Sequence, residues 1–398
     1  MAGNETILIR VSGPDRPGIT STLMNLLTEF GAEIGDVEQV VVRHHLVLGV
    51  VATIPAGRDL HKELLLFAYE FGLSVDFDPV DATPSERQLG VIVTLLAPAV
   101  TPHQLGSVAA AIAAVGGNID RIVRLARYPV VAYELSVLGA PIEDLRAALV
   151  VVSQTDDVDI ALQPEGLGQR AQRLVVLDVD STLIQDEVID LLAREAGCAD
   201  EVSAITDRAM AGGLDFETAL RTRVRLLRGL DTAALERARD QVRLTPGART
   251  FVRTLRRLGF KVAIVSGGFT FFTDHLQSLL SLDHAFANEL EMADGTLTGE
   301  VVGRIVDRQR KAELLAEVAE LEGIAADQTV AVGDGANDLD MLAAAGLGIA
   351  FNAKPIVRDA ADTTLNVPYL DAILFVLGVR RSEVEAADHA EGITDDEG

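Results

Sequence analysis

LVVLDVDST (residues 174–182) runs four apolar side chains into a pair of aspartates and a pair of hydroxyls. A short, wholly apolar run is what a strand buried on both faces of a parallel sheet requires. Later runs, Lys261 to Val265 and Thr329 to Val332, look the same, and helical periodicity separates them. This βαβα alternation predicts an α/β domain over residues 174–381, with a doubly wound, Rossmann-like parallel sheet. The stretch from Ile184 to about Arg243 reads as helix throughout, so a helical cap is expected at about 184–245. In open α/β sheets the ligand crevice lies beyond the carboxyl ends of the strands.

Each of the three runs ends in residues suited to that crevice. In an alternating backbone Asp178 and Asp180 point the same way. Two such carboxylates repel, and call for a cation or for a raised pKa on one of them. The result is a metal site, or an acid beside a nucleophile. Alone, the motif also reads as an N-cap cluster opening a helix. The second run ends in Ser266-Gly267-Gly268, a hydroxyl and exposed N–H groups that can cradle phosphate, though SGG alone reads as a turn. The third ends in Gly333-Asp334-Gly335-Ala336-Asn337-Asp338, where glycines allow close approach and Asp334 and Asp338 add acids. Lys311 lies in a charged helical segment, and nothing local distinguishes it from a solvated surface lysine. Three strand ends in order, each with phosphate or metal chemistry, point jointly to one site.

Upstream, residues 1–80 read as βαββαβ. A strand from Ile7 to Ser12 precedes the turn-rich GPDRPG (13–18) and a helical pattern from Ile19 to Phe30 that Gly31 ends. Residues 88–165 repeat this order, with Ile7 falling on Ile92, Phe30-Gly31 on Val115-Gly116 and Ile34 on Ile119. Two α+β modules therefore precede the α/β domain. Residues 382–398 are acidic, without Lys or Arg, and read as a disordered solvating tail.

The net charge of −26 argues against nucleic acid and anionic membranes as partners. One cysteine, Cys198, allows no intrachain disulfide and fits a reducing cytoplasm. No signal peptide is visible, and no run approaches the roughly 20 apolar residues of a membrane helix.

With these motifs in hand, residues 174–370 resemble the haloacid dehalogenase superfamily of phosphotransferases, through DVDST (178–182), SGG (266–268), Lys311 and GDGAND (333–338). Within it they resemble the phosphoserine phosphatases, through Glu187, AMAGGLDFETALRTRV (209–224), VSGGF (265–269), FANEL (286–290) and VGDGANDLDML (332–342). The two modules resemble ACT domains, and the order of domains is that of the long bacterial form of the family. The loop GPDRPG is similar to an ACT ligand loop, whereas its counterpart in the repeat has His103 in place of Gly18.

The resemblance implies hydrolysis of phosphoserine through an aspartyl-phosphate, the last step of serine biosynthesis. It implies Asp178 as nucleophile and Asp180 as acid and base. Mg²⁺ falls to Asp178, the Asp180 carbonyl and Asp334, with Asp338 in support. Phosphate falls to Ser266, Gly267, Lys311 and Asn337. Glu187 and Arg223 are implied for the serine ammonium and carboxylate, and Met210 and Phe216 for closing the site. A homodimer through the ACT domains and serine regulation at Asp15 and Gly18 are also implied. Other readings stay open: a phosphatase for phosphothreonine or protein phosphoserine, or an ACT-based amino-acid sensor.

Overall fold

Alternation sets the first sheet. Ile7, Ile9 and Val11 turn inward along β1 (Glu5–Pro14) while Glu5 and Arg10 face solvent. The computed structural model describes residues 4–55, 59–80, 90–166, 173–210 and 213–393, with the Met210 side chain left out. The chain divides into two compact units, 1–88 and 89–398. In the first, β1 is followed by α1 (Ile19–Glu29), β2 (Glu33–Val42), β3 (His45–Ile54), α2 (His61–Phe71) and β4 (Ser74–Pro79). The antiparallel sheet runs β2-β3-β1-β4, and Leu23, Leu27 and Leu64 from the helices close its core.

The second unit opens with the same topology, through β5 (Val91–Ala97), α3 (Pro102–Ala114), β6 (Asn118–Ala126), β7 (Val131–Leu138), α4 (Ile142–Asp156) and β8 (Asp159–Pro164), in the order β6-β7-β5-β8. Here β5 is buried at every position. The cause is a second packing surface. Leu96, Leu125, Ala126, Val130, Ala132 and Ala161 share one hydrophobic core with Leu365, Leu370 and Phe375 of the α/β domain. Gln163 also donates to the Val376 carbonyl at 2.6 Å. The second module is thus built into the same packed unit as the α/β domain.

In the α/β domain β9 (Leu174–Leu177) is central, between β10 (Lys261–Phe269) and β13 (Thr329–Gly333), both parallel to it. Beyond β13 lie β14 (Leu347–Phe351) and β15 (Thr363–Leu365); beyond β10 lie β11 (His284–Ala293) and the antiparallel β12 (Thr296–Val302). The cap comprises α5 (Val188–Ala196), α6 (Ala199–Met210), α7 (Phe216–Leu226) and α8 (Thr232–Arg239). Its two connections lie side by side, joined by an Ile184–Leu244 bridge and an Arg243–Asp186 ion pair at 2.8 Å. The helices that pack the sheet include α9 (Ala248–Arg257), α10 (Thr270–Leu280) and α11 (Arg308–Glu322). Then come α12 (Leu339–Ala344), α13 (Pro355–Arg358) and α14 (Ile373–Val376). Among the described residues no helix is long and apolar enough to cross a membrane.

The acidic C-terminal stretch corrects the expectation of disorder over residues 382–398. Arg381–Ala390 forms a helix, α15; residues 394–398 lie outside the described residues. Its acids are not merely solvating. Asp388 accepts from Arg253 at 2.9 Å and Arg257 at 2.5 Å, and Val384 is buried in the main core. Composition read the charges without their partners, which lie on α9. Asp388→Asn is expected to remove about 1.4 kcal/mol of local stability, making α15 amides exchange about ten-fold faster. Hydrogen exchange by mass spectrometry reads this, and unchanged rates over 381–390 would refute the latch.

Candidate active site

Strand β9 carries Asp178 to the rim of the sheet, and the chain then turns sharply, with Ser181 at φ 59. The turn folds the Asp180 side chain back. Its Oδ1 accepts the Val188 amide at 2.8 Å and its Oδ2 accepts the Ser266 hydroxyl at 3.0 Å. Ser266 Oγ in turn accepts the Gly268 amide at 2.8 Å. A Cβ on Gly268 would lie 2.7 Å from Val188 Cγ2 and 3.1 Å from Asp180 Oδ2, so glycine is what permits this approach.

Lys311 is wholly buried. Its ammonium donates to Asp178 Oδ1 at 2.6 Å and to Asp338 Oδ1 at 2.7 Å. Sequence gave no local reason to choose it; helix α11 carries it under the rim, and Asp307 caps that helix through the Arg310 amide at 2.8 Å. Asp338 Oδ2 accepts the Gly335 amide at 3.0 Å, and Thr182 donates to Asp334 Oδ1 at 3.3 Å. Ligand atoms of Asp178, Asp334 and Asp338 all lie within 4.8 Å of one another.

These contacts set the proton affinities. Burial, then the charge of Asp338, raises Asp178 well above the usual carboxylate range, against the pull of Lys311. Burial, with Glu187, pushes Asp180 up to about 7, although the Val188 amide and Ser266 draw it down. Burial and Asp338 push Asp334 up to about 6. For Lys311 burial opposes the charge, but Asp178 and Asp338 outweigh it and hold the ammonium above its ordinary value. Asp178, Asp334 and Asp338 cluster around one buried ammonium, with Lys354 acting on Asp334 from the cavity wall, so acids still outnumber cations. A hard divalent cation fits this excess of oxygen charge.

Above the rim a cavity of about 500 Å³ is lined by both sheet and cap. Glu187 accepts from Ser181 Oγ at 2.9 Å. Arg223 donates to Thr206 at 3.2 Å, and its buried Nε has no partner among the described residues. Burial lowers the Arg223 pKa, while Glu187 and Asp190 oppose that. Phe216 lies over the cradle, 3.1 Å from where a Gly267 Cβ would stand. Asn337 lines the same cavity. Met210 ends α6, and its side chain lies outside the described residues. All but Met210 of the expected phosphatase-site side chains therefore meet at one place.

Asn288 and Lys354 were given no role by the sequence. Buried Asn288 donates to the Gly267 carbonyl at 2.8 Å and accepts the Val306 amide at 2.8 Å, tying the cradle to the segment before α11. It sits in FANEL, midway along β11, a strand that periodicity left unnoticed, where β11 pairs with Phe269 at the end of β10. Lys354 lines the cavity from the loop after β14, a fourth strand end.

A haloacid dehalogenase-like hydrolase profile matches residues 175–343, and ACT-domain profiles match residues 5–78 and 91–163. A phosphoserine phosphatase of Streptomyces coelicolor is 51% identical over 387 residues, covering 96% of this chain and 94% of its own. The chain belongs to the phosphoserine phosphatase family. A second member of that family, from Mycobacterium tuberculosis, is 47% identical over 98% of this chain and 97% of its own. Among solved structures, a substrate-bound phosphoserine phosphatase complex matches with TM-score 0.50 and 45% identity, over 52% of this chain and 98% of its own. A probable phosphoserine phosphatase from Vibrio cholerae matches with TM-score 0.58 and 36% identity, over 72% of this chain and 86% of its own.

Proposed function

We propose that this chain hydrolyses O-phospho-L-serine to L-serine and phosphate, with Asp178 as the group that is phosphorylated. The observation that carries the reading is the placement of Asp178. It stands at a strand end, bonded to Lys311, in the cavity that Asp180, Glu187 and Arg223 also line. A phosphoserine phosphatase solved as a phospho-aspartyl intermediate analogue, 45% identical at TM-score 0.50, supports it.

An Asp178 oxygen forms a bond to phosphorus as the bond from phosphorus to the serine oxygen breaks. Asp180, poised near neutrality by burial, gives its proton to that departing oxygen. In the second half water attacks phosphorus, Asp180 takes the water's proton, and the Asp178–phosphorus bond breaks to release phosphate. Ser266, the Gly267 amide, Lys311 and Asn337 hold phosphate oxygens. Mg²⁺ would be held by Asp178, the Asp180 carbonyl and Asp334, with Asp338 in support, and supplies charge neutralisation of the transferring phosphoryl group. Glu187 meets the substrate ammonium. Arg223 meets its carboxylate with a fork geometry, and Met210 and Phe216 exclude water.

Phosphate release from phosphoserine with Mg²⁺ tests the activity; faster release from a phosphopeptide would favour a protein substrate instead. Arg223→Ala is expected to cut kcat/KM for phosphoserine by about 100-fold, about 2.7 kcal/mol, and that for phosphoethanolamine by far less. Equal losses on both would refute the carboxylate role.

The ACT modules are proposed to pair two chains and to bind serine near Asp15 and Gly18. Edge strand β2 is exposed along its length and carries Val37, Val40, Val41 and Val42. Gly18 caps α1 at φ 98, with nothing within 4 Å of where a Cβ would stand. Sedimentation should give a dimer. Gly18→Ala should weaken serine binding measured by calorimetry, and an unchanged affinity would place the effector elsewhere.

A further inference from the structure

Asp159 opens β8 of the second module and is buried, yet its carboxylate is spent on the other domain. Its Oδ2 accepts the Asn366 backbone amide at 2.7 Å, and its Oδ1 accepts the Asn366 side-chain amide at 2.7 Å. Burial works against the charge and raises this carboxyl. Parting the two would leave a buried carboxylate without its donors, so the pair fixes where the Asn366 segment lies against β8.

The residues on either side of Asn366 hold a loop of the active site. The Leu365 carbonyl accepts the Asn352 amide at 2.8 Å, and the Val367 carbonyl accepts the Asn352 side chain at 3.4 Å. Asn352 stands at φ 46, in the left-handed region that asparagine tolerates better than most residues. Two residues on, the Lys354 amide donates to the Asp334 carbonyl at 3.2 Å. The Lys354 residue also lines the catalytic cavity.

We infer that Asp159 of the second ACT module is a positioning residue for Asp334, acting through Asn366 and the 352–354 loop. This rests on the reading of Asp334 as a metal ligand. Groups that orient a metal's ligands shift its affinity by about 10- to 100-fold when removed. Asp159 acts one step further out, so a smaller effect is expected.

The same strand supplies a control. Gln163 also bridges to the α/β domain, but to Val376 in α14, away from the 352–354 loop. The full-length chain is titrated with Mn²⁺, and free Mn²⁺ is read from its paramagnetic resonance signal. Thermal melting is recorded alongside. Asp159→Asn is expected to raise the Mn²⁺ dissociation constant about five-fold. Gln163→Met is expected to lower the melting temperature yet change the constant less than two-fold. Adding Asn366→Asp to Asp159→Asn restores a complementary amide–carboxylate pair and should bring the constant back to within two-fold of the parent.

If Asp159→Asn does not fold, Asn366→Ser keeps the backbone bond and should raise the constant two- to three-fold. Parent-like Mn²⁺ binding by Asp159→Asn, or equal weakening by Gln163→Met, overturns the inference. A parent chain that binds Mn²⁺ but releases no phosphate from phosphoserine overturns the proposed activity and leaves the Asp159 role standing. A parent chain with no saturable Mn²⁺ binding overturns the reading of Asp334 as a metal ligand and the inference with it, while phosphate release decides the activity separately.

Discussion

Asp178→Asn is expected to reduce phosphate release at least about 10⁴-fold, more than 5 kcal/mol of barrier, while the chain still folds. The amide keeps the shape of the carboxylate but is not a nucleophile. Stability should hold because the site has too much negative charge. Asp178 and Asp338 share one buried ammonium with Asp334 close by, and burial already raises the Asp178 and Asp334 carboxyls. An acid whose folded pKa is raised binds more protons folded than unfolded, so its contribution to stability falls as pH rises. Without added metal, the contribution of these site carboxyls to wild-type stability should therefore decline from the ordinary carboxylate value of 3.8 towards about 7, where Asp180 titrates, and the wild-type-minus-variant difference isolates it from the acids elsewhere that are held low by arginines. The Asn variant should decline less. Phosphate-release kinetics and urea melts across that range read both effects. Near-normal turnover would sink the nucleophile assignment, and a steeper decline in the variant would sink the charge argument.

How much of this site was legible in the sequence depends on where each residue's partners lie. Asp178, Asp180, Ser266 and Asp334 stand at the ends of short apolar runs, so the chain itself says they reach the rim. The two βαββαβ modules were legible for a similar reason, since alternation and a glycine after three of the four helices (Gly31, Gly72 and Gly116) are local signals. Lys311 was not. Its charged neighbours in α11 describe a solvated face, and only the approach of Asp178 and Asp338 from other elements makes it a buried ammonium. Arg223 and Glu187 likewise look like helix-surface charges until the cap folds over the sheet. The second module's fusion to the α/β domain was hidden because β5 and β8 show burial on both faces only once Leu365, Leu370 and Phe375 are in place. The acidic C-terminus misled for the converse reason. Its charges are matched by Arg253 and Arg257, which stand more than a hundred residues earlier.

Lys311→Met should be the most destabilising single change in the site. It removes bonds of 2.6 Å and 2.7 Å and leaves Asp178 and Asp338 buried without their cation. Breaking a buried pair from one side costs about 3–5 kcal/mol, mostly as the penalty on the charge left behind. Turnover should fall with it, since the ammonium is also the proposed phosphate ligand. The two losses can be separated. Adding Asp338→Asn to Lys311→Met removes one stranded charge, and the new side-chain oxygen can still accept the Gly335 amide that Asp338 accepts at 3.0 Å. The double variant is therefore expected to regain about half of the lost stability in urea melts and none of the lost turnover. Strictly additive stability losses would mean that Lys311 and Asp338 do not act as a pair. Recovered turnover would mean that Lys311 serves the fold alone, and the positive charge opposite the transferring phosphoryl group would have to come from elsewhere in the site.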